Sequence, residues 1–421
     1  MKEHKKSYIS DIIFIAISIL MWTVMYYRQC VVDNQLDYHA HNLFANLIVE
    51  GKLTLTYPLY HYATGWLALA LGTDTLHSSV IVLVCLQIMS MYAMAALLNE
   101  VTGKCNSRFW LLLGAFMLNI VQPVFTYSIK PGYSSGNGLV SPTSLACKPF
   151  AILAILYFYR AYRENKWTFR RQLLLLAMLV LSCLAKPMFA MAFVPAMGLM
   201  LLVDRIICLK NGNEKISEAL KEYIMQIWPL FVAGVILIVQ YVMTTIIETP
   251  RELTEDIRLS ADADTHIRFG FMYAWSMVVS NVYISILFAY LFPIAVLIIW
   301  LIMKKKGNEK FVSNDKSRTG PFAKMCAYYG VVSFCYIAFL YQDNGAEKDM
   351  NFRNCWILTF TMVYCLAYSV LWNWVKEHEL GSKQKKSGIK LKENWAIYLT
   401  IVIFAIHLLF GLALIAKNTL I

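Results

Sequence analysis

Charge is scarce in this 421-residue chain: Asp, Glu, Lys and Arg make up only 15% of it, against roughly 25% in an average soluble domain. With 59% apolar residues beside that scarcity, an ordinary water-soluble globule is excluded. Eleven Pro and 19 Gly, scattered rather than clustered, exclude collagen-like and low-complexity chains, and no solenoid-length repeat is present. Cysteine spacing suggests neither zinc nor a disulfide framework. Six of the ten cysteines (Cys85, Cys183, Cys208, Cys326, Cys335 and Cys365) lie in or beside apolar runs, where a thiol behaves as a small hydrophobe. There is no Walker loop, no Gly-rich dinucleotide turn, no nucleophile elbow and no large soluble domain.

What the chain does contain is a series of apolar runs, many of them near the 20 residues that cross about 30 Å of hydrocarbon. The runs lie at 8–27, 77–98, 109–126, 145–162, 172–185, 187–204, 224–247, 282–303, 323–341, 354–375 and 395–416. They predict an all-α polytopic membrane protein of about eleven transmembrane helices, built as one integral domain over residues 1–421. The first run follows Lys2, Lys5 and Lys6 but lacks a small-residue cleavage site, so it reads as a retained span rather than a signal peptide.

The net charge of +12 reflects topology and does not call for a nucleic-acid partner. Of the 38 Lys and Arg, 27 fall on the inner side if the N-terminus is inside, and this bias is the determinant of orientation. The expectation is a multi-pass protein of the cell membrane with a cytoplasmic N-terminus and an outer C-terminus. Residues 57–72 are short for a crossing and are read as an outer surface helix; counting them as a span would turn the basic segment Arg160–Arg171 outward. The spans 172–185 and 187–204 are also short and meet at Ala185-Lys186-Pro187, which predicts a broken or tilted hairpin with its tip at the outer face.

No acidic or basic residue falls near the middle of a span, whereas ion-coupled transporters usually carry one there. Polar groups gather instead in outer segments, chiefly a first outer loop at 28–76 and a second at 248–270. In the first, Leu36, Ala40, Leu43, Phe44, Leu47 and Ile48 form one helical stripe that stops at Gly51, a short helix lying in the interface. Asp37 and His41 are four apart and share a face, which Asp33 would join if the helix began earlier. A carboxylate beside an imidazole suits a general base with a partner that orients it or binds phosphate; the plainer reading is an interfacial helix showing its polar side to water. The next element, Tyr57-Pro58-Leu59-Tyr60-His61-Tyr62, with Trp66, is explained in its rings by an aromatic belt, less so in Pro58 and His61.

This order resembles the start of the GT-C glycosyltransferases, among them the protein O-mannosyltransferases and the lipid A aminoarabinose transferases: a first span, an outer helix opening with Asp and running to Gly, a Pro-Leu-Tyr helix, then a second span with a short basic inner loop. The resemblance covers residues 1 to about 126. Asp37 stands where their acidic catalytic residue opens the helix and Pro58-Leu59-Tyr60 in their Pro-Pro-Leu-Tyr segment, while Tyr38 replaces a second acidic residue and one Pro is missing. Gly136-Asn137-Gly138-Leu139-Val140-Ser141-Pro142-Thr143, Lys148-Pro149-Phe150, Lys186-Pro187 and Asn351-Phe352 resemble segments of membrane proteins from bacterial surface-polysaccharide clusters.

The resemblance implies a GT-C-like architecture and transfer of a sugar from a polyprenyl-phosphate donor to a glycan or glycolipid acceptor on the outer face. Asp37 would then be the catalytic base, and His41, His61, Lys148, Lys186 and Arg353 the candidate substrate-binding residues, the three cations suited to hold phosphate but equally able to snorkel to headgroups. No cofactor is expected. Asp262-Ala-Asp264-Thr-His266 is the one pattern that suits a divalent metal, and its mixed-charge neighbours favour a solvated face. His407, alone in the last span, reads as a packed histidine. Anionic membrane lipids suit the inner runs at 304–306 and 383–392. The rival functions are a flippase or transporter for a lipid-linked sugar and a polysaccharide polymerase.

Overall fold

The computed structural model describes residues 2–33, 36–103, 107–122, 141–246, 266–276, 281–305, 316–343, 348–349, 353–383 and 394–420. It is an all-α polytopic membrane protein. Its helices are α1 (Lys2–Tyr27), α2 (Leu36–Val49), α3 (Leu59–Leu71), α4 (Thr75–Thr102), α5 (Arg108–Ile120), α6 (Pro142–Glu164), α7 (Phe169–Ala185) and α8 (Met188–Lys210). They continue with α9 (Ile216–Ile246), the single turn α10 (Tyr273–Ser276), α11 (Val282–Ala289), α12 (Leu291–Lys305), α13 (Lys316–Phe339), α14 (Arg353–Lys383) and α15 (Asn394–Leu420). A π-helical turn, Arg28–Val32, extends α1. The 10 strand residues form an antiparallel ribbon, β1 (His266–Phe269), β2 (Leu340–Asp343) and β3 (Lys348–Asp349), with Ile267 opposite Gln342 and Gln342 opposite Asp349.

Each of the eleven apolar runs returns as helix, but not all as full spans. Eight described helices are long and apolar enough to cross a membrane, and the pair α11 and α12, bent by 73°, makes a ninth. The run 109–126 is a 13-residue helix, about 20 Å long at 1.5 Å per residue. Its end packs closely on other helices: a Cβ on Gly411 of α15 would collide with the Ile120 carbonyl oxygen, and His407 Nδ1 lies 2.8 Å from the Gln122 carbonyl oxygen and 3.1 Å from Tyr364 Oη. His407 is thus the packed histidine that the sequence suggests. The run 172–185 forms the 17-residue α7, which ends at Ala185 before the extended Lys186, and Pro187 then opens α8.

The core is aromatic, with Phe158, Tyr159, Phe189, Phe193 and Tyr329 fully buried where α6, α8 and α13 meet. One end of the bundle is laced by ion pairs. Glu100, at the end of α4, receives Arg160 at 2.7 Å and Arg163 at 3.0 Å, and its backbone carbonyl receives Arg318 at 3.4 Å. Asp11 pairs with Arg108 at 2.9 Å, and Asp204 with Lys324. Fully buried pairs lose roughly 3–5 kcal/mol when one partner is removed. Because the Glu100 side chain is 19% exposed, Glu100→Gln is expected to destabilise by about 2 kcal/mol, read as a drop in thermal midpoint in detergent; an unchanged midpoint would show that the arginines re-pair with water or lipid.

At the opposite end, Arg28 Nη1 donates to the Thr419 carbonyl at 3.2 Å. The chain therefore brings the exits of α1 and α15 together, next to the helices that carry the candidate site.

Candidate functional site

The site begins with a pair of short helices. Helix α2 has Asp37 in its first turn, where a carboxylate meets the positive end of the dipole, and ends at Gly51, whose φ of +72° no branched residue would adopt readily. Helix α3 follows Pro58, whose carbonyl accepts from Tyr62 N at 2.9 Å, and ends at Gly72. Asp74 then caps α4, accepting from His77 N at 2.8 Å, and those hydrogen bonds hold its carboxyl below the usual range. The two short helices touch closely because residue 65 is Gly: a Cβ there would lie 2.9 Å from the Ala45 carbonyl oxygen.

Helix α2 is turned the other way from a simple amphipathic reading. The residues it buries are Tyr38, Asn42, Ala45 and Ile48, while Ala40, Leu43, Phe44 and Leu47 of the apolar stripe are only half-buried. Lipid solvates an apolar stripe as well as a protein core does, so apolarity alone leaves the inward face open. Helix α3 keeps Tyr62 and Trp66 exposed, their rings 4.9 Å apart, as anchoring rings should be, and buries Tyr60 and His61.

This rotation carries His41 inward to meet His61. His41 Nδ1 and His61 Nε2 are 2.9 Å apart, and His41 Nε2 faces Asp37 Oδ1 at 3.8 Å. Asp37 is 46% exposed and so open to a substrate, whereas the His61 ring is fully buried. Asp33 does not join them: the helix starts at Leu36, and Asp33 closes the π-helical turn with its carboxylate 3.2 Å from Arg28 Nε. Tyr60 stands edge-on to both rings and hydrogen bonds Ser79 at 2.5 Å; burial pushes its hydroxyl well above the ordinary tyrosine range.

Burial holds both imidazoles neutral. His61 is lowered to about 4 by loss of solvent, and His41 lies well below its ordinary value through burial first, then His61 and then the Lys186 charge. Between about pH 6.5 and 4 the unfolded chain binds a proton at residue 61 that the folded chain refuses, so stability must fall as pH falls through that window. The shift corresponds to about 3 kcal/mol. The midpoint of the wild type is expected to drop between pH 7 and 4.5, and that of His61→Gln, which has no group titrating there, to drop distinctly less.

One cation, Lys186, acts on the pair from another element. Lys186 sits in the extended break between α7 and α8, and its Nζ donates to Ser144 Oγ at 3.0 Å and to Ser141 Oγ at 3.3 Å, at the start of α6. Cys147 Sγ also meets the Lys186 carbonyl at 3.5 Å. Lys148 is one turn beyond Ser144 on α6 and only 2% exposed, so it does not snorkel to headgroups. Gln240 of α9 ties the approach to α3 to the end of α7, donating to the Thr56 carbonyl at 2.8 Å and the Cys183 carbonyl at 3.1 Å. Arg353 opens α14, but its side chain lies outside the described residues.

The site therefore joins Asp37, His41, His61 and Lys186, while Lys148 is buried on the helix that carries Ser144. Ser141, Ser144 and Gln240 were not singled out by the sequence; the four-residue step from Ser144 to Lys148 on one helix face was the available signal. Among the described residues no group of three or more His, Cys, Asp or Glu could hold a metal. Asp262 and Asp264 lie outside the described residues, and His266 is placed only as the first residue of β1. A cavity of about 250 Å³ lined by Tyr162, Arg163, Trp167, Asp204, Arg205 and Gln226 belongs to the ion-paired end, away from this cluster.

No family model and no curated protein matches the chain. Solved structures of the oligosaccharyltransferase of Archaeoglobus fulgidus are similar in part. One is the archaeal enzyme AglB in complex with an inhibitory peptide and a dolichol-phosphate, at a TM-score of 0.48 and 11% identity, covering 97% of this chain and 56% of that one. The apo form gives 0.46 at 10% identity over 97% and 56%, and a form tethered by a disulfide to an acceptor peptide containing the NVT sequon gives 0.45 at 10% over 97% and 55%. The chain spans a little over half the length of these proteins.

Proposed function

We propose that the protein is a membrane glycosyltransferase that moves a sugar from a polyprenyl-phosphate donor to a hydroxyl of a glycan or glycolipid on the outer face. One observation carries this reading: an accessible carboxylate, Asp37, backed by a neutral imidazole, with a cation from another element near enough to act on that imidazole. A base and a phosphate-binding charge at one end of a helical bundle are what attack at an anomeric carbon needs.

Asp37 takes the proton of the acceptor hydroxyl as its oxygen forms a bond to the anomeric carbon. The bond from that carbon to the donor's phosphate oxygen breaks, and the electron pair leaves on the phosphate. Lys186, with Ser141 and Ser144 holding its Nζ in place, supplies positive charge for that leaving group. The half-exposed apolar stripe of α2 offers the carrier's hydrocarbon a surface level with the membrane interface. The basic bias of the segments at the opposite end orients the site outward, with the N-terminus cytoplasmic.

The test is transfer by the purified protein in liposomes, given a labelled polyprenyl-phosphate sugar and a lipid-linked acceptor. Formation of a new glycosidic bond, read by mass spectrometry, supports the proposal. Movement of labelled donor across the bilayer with no new bond would replace it with the flippase reading.

A further inference from the structure

From the contacts of the buried ring pair, we infer that His61 is a positioning residue: it fixes the tautomer of His41 so that His41 Nε2 carries its proton toward Asp37. This inference rests on the function proposed above only for its kinetic consequence.

Both rings are neutral, so each carries one N–H, and the 2.9 Å contact between His41 Nδ1 and His61 Nε2 uses one of them. If His41 were the donor, its Nε2 would be a bare lone pair 3.8 Å from the Asp37 carboxylate. The proton of His61 would then sit on Nδ1, which is buried and finds no hydrogen-bond partner among the described residues. Orphaned buried N–H groups are rarer than under-used acceptors, and two electron-rich atoms facing each other repel. The reverse assignment removes both faults. His61 Nε2–H donates to His41 Nδ1, His61 Nδ1 keeps only a lone pair, and His41 Nε2–H points at Asp37. The tautomer at one ring nitrogen is set by the bond made at the other.

The consequence falls on Asp37. An N–H aimed at a carboxylate favours its ionised form, so the base stays unprotonated to lower pH. Ionisable groups on the elements around α2 include Tyr60, His61 and Tyr62 on α3, Cys30 with Arg28 and Asp33 in and after the π-helical turn, Asp74 and His77 at the start of α4, Lys148 on α6, and Lys186; α2 itself carries Tyr38 and His39, with Glu50 just past its end. Of the histidine pair, His41 is the ring that faces Asp37, at 3.8 Å.

The experiment compares wild type, His61→Leu and His61→Gln. Gln places an amide N–H near the position of Nε2 and keeps the donation; Leu removes it. In protein labelled with ¹⁵N-histidine, the nitrogen shifts of His41 are expected to report Nε2–H in wild type and His61→Gln, and a mixture or the reverse tautomer in His61→Leu. For transfer, His61→Leu is expected to lower kcat by roughly 10- to 100-fold, the range for residues that orient an active group, and to move the acidic limb of the kcat profile to higher pH, with donor KM unchanged and His61→Gln close to wild type. Nδ1–H at His41 in the wild type would overturn the inference whatever the activity, as would an acidic limb that stays in place in His61→Leu. A wild type with the expected tautomer and no transfer would overturn the proposed function and leave this assignment standing.

Discussion

Asp37→Asn is expected to lower kcat for sugar transfer by about 10²- to 10⁴-fold, the span that a positioned general base contributes. The amide keeps the shape of the carboxylate and can still face His41 Nε2, but it takes no proton. Donor KM should stay within about twofold, because the cation proposed to hold the phosphate, Lys186, lies at the α7–α8 break and not on α2. The fold should also tolerate the change. Asp37 is 46% exposed, so losing its charge at the start of α2 should cost no more than about 1 kcal/mol and lower the thermal midpoint only slightly. Steady-state transfer with donor titrated at saturating acceptor separates these terms. Turnover within a few-fold of wild type would remove Asp37 from the chemistry and leave the His41–His61 pair as a structural contact.

The order of the helices was legible because an apolar run is a strong local signal, with cations at one end, but about eleven crossings were expected where eight described helices, or nine with the bent pair, are long and apolar enough to cross. Helix lengths were less legible. The run reaches Pro123, and the proline ends α5 locally at Ile120; what could not be read is that the Ile120 carbonyl there lies against Gly411 of α15, nearly 300 positions away. The break at Lys186 was visible, since a cation and a proline interrupt an apolar run. What holds that cation was not, because Ser144 lies 42 residues away.

The outer loop shows the same division. A helix opening near Asp37 and stopping before Gly51 could be read from spacing and turn chemistry, as could the Asp37–His41 step. Which face of α2 turns inward could not. An apolar stripe normally marks the core side of a helix, but beside a bilayer the lipid accepts that stripe, and the inward face is chosen by close packing on α3 at Gly65. That packing brings together two histidines 20 residues apart. Neither ring has a local sequence partner that would mark it as half of a pair.

Lys186→Met carries the second large expected effect and tests the other half of the site. The substitution keeps length and apolar stem and removes the charge proposed to meet the departing phosphate. A single preorganised group stabilising developing negative charge contributes about 10²- to 10³-fold to kcat, and a loss of that size is expected here, with weaker donor binding because the ground-state phosphate is also charged. Lys186→Arg should retain part of the activity, since its wider fork still carries charge but does not reproduce donation to Ser141 and Ser144. Stability should change by no more than about 1 kcal/mol, as the partners lost are hydroxyls. One further readout does not depend on turnover. The Lys186 charge is among the influences that depress His41, so the ¹⁵N titration of His41 should move upward in Lys186→Met and stay near wild type in Lys186→Arg. If donor affinity, turnover and the His41 titration all stay at wild-type values in Lys186→Met, the phosphate is held elsewhere and the break between α7 and α8 is only a bend.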